Sequence, residues 1–322
     1  MINNLKDQFT LESISEKKAV DLQLIMLIIL LAGIGAVSLF FIPGIGRTIS
    51  GGTRWFSIAG VRFQPSEFLK ITLTLYLSKM FDKKRGMIND FYKTILPALI
   101  VILFSSWIII IQNDFSSSLF LFLLSIVLLF LSGVKKSFLA IIVGFCLLMA
   151  VTVVVFQPYR LDRIKSWVDP ANDPLRGGYQ VLASKRALFQ GGFTGKGIGA
   201  GDIKLGHLPQ AHSDFIFSVV GEEGGIIGIT FIIILFTLFF LKGLIIANRQ
   251  NSNFKMFVAA GFSCAIFFQA MLNMGVVSGL LPPTGIPLPF FSQGGSSIIV
   301  TMIMVGFIFN LSRIQEPDSY EE

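Results

Sequence analysis

Eight stretches of this chain are apolar over about the length of a membrane-spanning helix, and that recurrence limits the fold more than any other feature. They run near Leu22–Ile42, Pro65–Phe81, Ile95–Ile111, Ser116–Ser132, Phe138–Phe156, Asp214–Leu241, Met256–Val276 and Ser296–Leu311. A bilayer core takes about 20 predominantly apolar helical residues, within a range of roughly 17 to 25. Hydrophobic residues make up 53% of the chain and charged residues only 14%, which excludes an ordinary soluble domain of 322 residues. The expectation is an all-α polytopic membrane protein with about eight transmembrane helices.

Short cytoplasmic loops carry an excess of Lys and Arg. With the N-terminus placed inside, the inside segments hold Lys17 and Lys18, then Lys83, Lys84, Arg85 and Lys93, then Lys135 and Lys136, then Lys242, Arg249 and Lys255, then Arg313. The opposite links Gln112–Phe115 and Ser278–Gly295 hold none. Both termini are therefore expected in the cytoplasm. Much of the net charge of +7 is then topogenic, and no nucleic acid is needed to explain it. The first apolar run is too long for a signal-peptide core, so it is expected to stay as a span. The expected organisation is a cytoplasmic leader (1–21), a first block of spans (22–156), a large extracytoplasmic loop (157–213), a second block (214–313) with a Pro/Gly-rich outer loop (278–295), and a cytoplasmic tail (314–322). Cys146 and Cys264 lie inside spans and read as packing residues.

Leu208–Phe217 places His212 and Asp214 where the large loop runs into an apolar helix, so both would sit at a membrane surface. A carboxylate held there is a candidate for chemistry; the competing reading is a helix N-cap. Glu67 and Lys70 open the second span three residues apart, on one helix face, as a functional pair or a structural one. Arg54 beside Trp55 suits an anionic head group or a snorkelling role. Asp114 is either a cap for the fourth span or a further outer-face acid.

The large loop carries Arg160, Arg163, Lys165, Arg176, Lys185, Arg186, Lys196 and Lys204 against Asp162, Asp169, Asp173 and Asp202. Long loops cross the membrane regardless of charge, so this excess points to a phosphate-rich ligand. The run Gly191–Gly201, with Lys196 at its centre, is as dense in glycine as a backbone anion nest, yet lacks the nucleotide P-loop pattern. Tyr179–Phe189 reads as an amphipathic interfacial helix turning Lys185 and Arg186 toward lipid head groups. On a continuous helix Glu222 lies about 80° round from Asp214 and Glu223 about 180°, so only Glu222 approaches the same side. The four prolines between Pro282 and Pro289 exclude regular helix, and such backbone at membrane depth must be buried by protein or line a cavity. A cavity bounded by this loop and the basic one is expected.

Read together, Gly-Thr-Arg54-Trp, Phe-Gln-Pro-Ser-Glu67-Phe-Leu-Lys70, Gly-Gly-Tyr-Gln, Gly-Lys196-Gly-Ile-Gly, Leu-Pro-Gln-Ala-His212-Ser-Asp214-Phe-Ile-Phe, Gly-Glu222-Glu-Gly-Gly and Gly-Ile-Pro-Leu-Pro-Phe-Phe-Ser-Gln-Gly-Gly-Ser296-Ser resemble the SEDS family (shape, elongation, division and sporulation), in the family's order, from about Leu22 to Arg313. The resemblance is closer to the division type than to the elongation type. It implies a peptidoglycan glycosyltransferase that polymerises lipid II on the outer face of the bacterial cytoplasmic membrane, paired with a class B penicillin-binding transpeptidase. Asp214 falls on the family's essential acid, and Arg54, Glu67 and Lys70 fall on probable contributors. A divalent cation, Mg or Mn, or the loop's basic residues would neutralise the leaving pyrophosphate. Members have ten spans, so about two would be lacking at the N-terminus. Gln293, Gln210 and Ser213 depart from the commoner Tyr, Glu and Thr. The alternatives are a lipid II flippase using the same cavity, which paired broken helices would favour, and a non-enzymatic scaffold for the transpeptidase.

Overall fold

The computed structural model describes residues 46–49, 52–58, 61–172, 177–202 and 214–313. The first expected span, the leader, His212 and the C-terminal tail lie outside the described residues. The chain forms two compact units, divided between Gly133 and Val134.

In the first unit a small antiparallel sheet precedes the first described helix, an addition to the all-α expectation. Strands β1 (Gly46–Ile49), β2 (Gly52–Ile58) and β3 (Val61–Phe63) pair in chain order. Thr, Ile, Val, Trp and Phe are enriched in strands, and the close return from Ile49 to Gly52 suits a tight hairpin. Arg47 pairs with Trp55 but Thr48 with Thr53, so Arg54 is the extra residue of a β-bulge. Helix α1 (Pro65–Lys83) follows, with Pro65 in its first turn, where a missing N–H costs nothing, and Glu67 at the positive end of its dipole. A five-residue π-helical turn, Phe91–Ile95, capped by the Asp90 side chain, leads into α2 (Leu96–Ile111); α3 (Phe115–Leu131) completes the unit.

The start of α1 is a buried polar cluster. Lys70 Nζ donates to Glu67 Oε1 at 2.8 Å, with both residues under 5% exposed, and lies 5.1 Å from the centre of the Phe120 ring of α3. Glu67 Oε2 is buried without a hydrogen-bond partner among the described residues. Removing one member of such a pair strands a buried charge at a cost of about 3–5 kcal/mol, whereas removing both relieves that penalty. Lys70→Met is therefore expected to lower the unfolding temperature in detergent more than the double change Glu67→Gln/Lys70→Met. A double variant as unstable as the single one would refute the pairing argument.

Asp114 does cap α3: its Oδ1 accepts from Ser117 N at 3.1 Å, and its Oδ2 from Ser117 Oγ at 2.8 Å and from Gln64 Nε2 at 3.1 Å. The carboxylate thereby ties the α2–α3 turn to the residue preceding α1.

The second unit begins with α4 (Lys136–Val155), whose apolar surface is mostly exposed. Within the polar region lie α5 (Pro158–Val168), a 3-10 turn (Pro170–Asn172) and α6 (Gly177–Gly191). Then come α7 (Ile216–Asn248), α8 (Asn253–Val277) and α9 (Gly295–Ser312). Helix α8 is the most buried of the membrane-length helices, its small residues Ala259, Ala260, Gly261, Ser263 and Ala265 allowing close approach. Helix α6 contains the segment read as interfacial, but its face of Val181, Ser184 and Ala187 is buried against protein, and Ser184 Oγ donates to Val277 O of α8 at 3.0 Å.

Among the described residues, Phe91–Ile111 and helices α4, α7, α8 and α9 are long and apolar enough to cross a membrane, and α3 is apolar but shorter. Helix α1, expected as a span, is not among them, since it carries Glu67, Lys70, Lys79, Asp82 and Lys83.

The sixth expected span is the most altered. Helix α7 is broken at Gly225, where φ is 61° and ψ is −160°. The continuous part beyond the break, 226–248, is roughly 35 Å long at 1.5 Å per residue and can cross a bilayer core of about 30 Å alone. Glu222 and Glu223 lie before the break, so the continuous part beyond it contains neither.

Candidate active site

Asp214 lies in a turn just before α7, and the N-cap position is Phe215, whose own side chain makes no cap hydrogen bond. The N-cap reading of Asp214 is thus replaced. Its position is held through the backbone: Asn273 Nδ2, in buried α8, donates at 2.8 Å both to Asp214 O and to Ile286 O of the Pro-rich loop. One turn earlier on α8, Gln269 Nε2 donates to Pro287 O at 2.9 Å, and within the loop Ser292 Oγ accepts from Leu288 N at 2.7 Å. Side chains from a helix thus satisfy the carbonyls of the non-helical segment, which is what allows such backbone beside the apolar helices.

Asp214 is half-buried and opens into a small pocket of about 30 Å³ with Arg163 of α5, Gln180 of α6, Asn273 of α8 and the Pro283–Ile286 chain. A small pocket thus lies between helices of the basic loop and the Pro-rich loop, and Asp214 and Arg163 both line it. Arg163 Nη1 reaches Pro283 O at 3.5 Å, and Trp167 Nε1 donates to Gly279 O at 3.0 Å, so α5 is docked onto the Pro-rich loop. The described volume holds about one water. The segment 203–213, which carries His212, lies outside the described residues.

The glycine-rich run does form an anion nest, but the anions are the chain's own. Gly199 N and Gly201 N donate to the Glu223 carboxylate at 2.9 and 3.3 Å, and Asp202 N donates to Glu222 Oε1 at 3.1 Å. Lys196 Nζ bonds Glu222 Oε1 at 2.6 Å, Asp202 Oδ2 at 2.9 Å and Gln190 Oε1 at 2.9 Å. The backbone completes the arrangement: Lys196 N and Gly197 N donate to Glu222 O and Glu223 O, while Ile226 N and Ile227 N donate to Gly192 O and Phe193 O. A helix break orphans carbonyls on one side and N–H groups on the other, and this turn pairs with both sets.

The Lys196 ammonium is held above its ordinary value of 10.5, first by its hydrogen bond to Glu222 and then by that to Asp202. A raised lysine contributes stability that is fully present below its unfolded value and lost as pH rises through the folded one. Protection of the 197–202 amides from hydrogen exchange should accordingly persist through neutral pH and fall only above about 10.5. Equal loss of protection between pH 7 and 9 would contradict this.

The other candidates are placed as follows. In the first unit Glu67 pairs with Lys70 and Asp114 accepts from Gln64, and Arg54 stands at the β2 bulge. Lys185 is half-buried with its stem against Gly279, Arg186 is exposed, and Ser296 is buried in the first turn of α9. The helical-wheel link from Asp214 to Glu222 fails as an argument, because α7 starts only at Ile216; the carboxylate of Glu222 is instead engaged by the glycine-rich turn. Three residues at the pocket escaped the sequence reading. Asn273, with Gln269 one turn away, carried a usable signal, as polar side chains inside an apolar span. Arg163 was one of eight loop cations and Gln180 one of many polar loop residues, with nothing local to single them out. No group of three or more His, Cys, Asp or Glu residues that could hold a metal occurs among the described residues.

The family model for FtsW, RodA and SpoVE, described as a cell cycle protein, matches residues 9–316. The chain belongs to the FtsW/RodA/SpoVE family. Every motif that carried the resemblance lies inside that match. A probable peptidoglycan glycosyltransferase FtsW of Borreliella burgdorferi is 46% identical over 283 residues, covering 86% of this chain and 77% of that protein. Another, from Geobacter sp. M18, is 38% identical over 85% of this chain and 75% of its own length. Stage V sporulation protein E of Bacillus subtilis is 36% identical over the same shares, 85% and 75%. Among solved structures, one reported under structural coordination of polymerization and crosslinking by a peptidoglycan synthase complex aligns with a TM-score of 0.70 at 28% identity, over 95% of this chain and 90% of that one. The rod shape determining protein RodA of Thermus thermophilus aligns at 0.60 and 25% identity, over 95% and 88%. The chain is thus a multi-pass integral membrane protein of this family.

Proposed function

We infer that this protein is a peptidoglycan glycosyltransferase that polymerises lipid II into glycan strands on the outer face of the bacterial cytoplasmic membrane, for division or cell-shape growth. Family membership and relatives named FtsW support the activity. The observation that carries the site assignment is the pocket lined by half-buried Asp214 together with Arg163.

In this reading Asp214 is the general base. It takes the proton from the 4-hydroxyl of the acceptor's N-acetylglucosamine; that oxygen bonds to the anomeric carbon of the growing strand as the bond to polyprenyl pyrophosphate breaks. One displacement with one base inverts the anomeric centre, by the geometry that governs inverting glycosidases. Arg163 is placed to offset negative charge on the leaving group through its planar fork. Arg54, Glu67, Lys70, Asp114, Lys185, Arg186, His212 and Ser296 are proposed as supporting residues. A divalent cation, Mg or Mn, is proposed to neutralise the charge on the leaving pyrophosphate.

The reading also includes eight spans with both termini cytoplasmic and a class B penicillin-binding transpeptidase as partner. The similarity to a structure from a peptidoglycan synthase complex supports the partner. The test is polymerisation of purified lipid II by the protein co-purified with its transpeptidase, with a divalent cation present, comparing wild type with Asp214→Ala. Strands from wild type alone support the assignment; strands from both remove Asp214 as the base, and strands from neither count against the polymerase reading.

A further inference from the structure

The glycine-rich turn and the broken helix form a charge-locked clasp around the segment that bears Asp214. Glu222 is fully buried, and its Oε1 accepts from Lys196 Nζ at 2.6 Å and from Asp202 N at 3.1 Å. Asp202 precedes Asp214 in the chain and Glu222 follows it. The hydrogen bond between them closes a loop twenty residues apart in sequence with Asp214 inside it. The neighbouring bonds from Gly199 and Gly201 to Glu223, and the four backbone bonds across the break, fix the same two strands of chain on either side. Within the same region Asn273 Nδ2 donates to the Asp214 backbone carbonyl at 2.8 Å.

We propose that Glu222 and Lys196 are positioning residues: their ion pair locks the glycine-rich turn to the α7 break, and this lock sets where the Asp214 carboxylate stands. The proposal rests on the glycosyltransferase reading of Asp214. Lys196 then acts on the chain and does not hold the substrate's phosphates, which separates this assignment from the basic-loop reading of the sequence. A charged side chain committed to three ligands within its own turn and helix, one of them a buried carboxylate, would have to give up those bonds to grip a phosphate.

The two roles can be separated by replacing the ion pair with a covalent link that has no charge. Lys196 N donates to Glu222 O at 3.0 Å, so the two backbones run at a separation a disulfide can span. The double variant Lys196→Cys/Glu222→Cys is compared reduced and oxidised, with wild type, which holds only Cys146 and Cys264, as the oxidant control. The reduced form is expected to lose on the order of tenfold to a hundredfold in kcat with little change in KM for lipid II, the penalty of a misplaced catalytic group. Oxidation, with the bond verified by mass spectrometry, should return kcat to near wild type. A reduced form as active as wild type overturns the proposal, and so does an oxidised form that stays inactive, since the Lys196 charge is then itself required.

A second measurement is independent of turnover, so that failure of the polymerase reading stays distinguishable from failure of the clasp. In Glu222→Gln, amide exchange should accelerate both at Gly199–Asp202 and at Phe215–Ser218, with α8 unchanged. Acceleration confined to Gly199–Asp202 would mean that the clasp does not position the Asp214 turn, and the proposal falls.

Discussion

Asp214→Asn is expected to fold as wild type does and to lose a factor of roughly 10² to 10⁴ in polymerisation rate, the usual contribution of a general base. The side chains are nearly the same size, and Asn273 continues to bond the backbone carbonyl. The N-cap residue of α7 is Phe215, so the substitution leaves the N-cap position itself unchanged. Neighbouring Gly285, at φ +73°, has its missing Cβ position 3.5 Å from Asp214 Oδ2, and an amide occupies that space as a carboxylate does. What Asn lacks is the ability to accept a proton. Strand length on gels from purified lipid II, read beside an unfolding curve of the same preparation, separates chemistry from folding. A wild-type rate in Asp214→Asn would end the general-base assignment.

Gly225→Ala is expected to be among the most destabilising single substitutions in the second unit. Two separate penalties apply. The backbone at φ 61° and ψ −160° lies in a region essentially reserved for glycine, which costs a side-chain-bearing residue about 1–3 kcal/mol. A Cβ there would also stand 2.6 Å from Phe193 O and against Gly195 N, and both are backbone atoms of the turn that pairs across the break, so relief requires the turn to move. Moving it would sacrifice the bonds from Ile226 and Ile227 and strain those to Glu222 and Glu223. The total should exceed about 3 kcal/mol, at the upper end of single-residue effects. Gly224→Ala is the internal control: its Cβ meets nothing within 4 Å, and its φ lies outside the left-handed region. Unfolding temperatures in detergent should order wild type and Gly224→Ala together, with Gly225→Ala well below. If the two alanine variants unfold alike, helix α7 is continuous in the protein and the clasp does not exist as described.

Much of the class and part of the site could be read from residues alone. The apolar runs at Phe138–Phe156, Met256–Val276 and Ser296–Leu311 match α4, α8 and α9 closely, because spanning helices satisfy their own backbone and need only length and hydrophobicity to be recognised. The pairing of Glu67 with Lys70 followed from their three-residue spacing. Asp214 stood out because a lone carboxylate at the mouth of an apolar helix has few ordinary explanations. The Gly46–Phe63 sheet was missed because its strands are short and a charged, glycine-rich link between spans reads as loop.

By itself the sequence determined that this chain enters the membrane many times through helices, which family it belongs to, and which acid to suspect, since each of these depends on composition, local spacing or motif order. Only the tertiary structure decided what the glycine-rich run binds, where α7 breaks and which residues meet Asp214. Gly221, Gly224 and Gly225 look alike in sequence, yet only Gly225 departs from the helix within α7. The break exists there because residues 192–197, distant along the chain, supply the hydrogen bonds that the helix gives up. Arg163, Gln180 and Asn273 come from three different helices and meet only when those helices pack. Contacts between segments far apart in the chain leave no periodic trace in either segment, and the partners of a buried charge are set by packing that neither segment specifies alone.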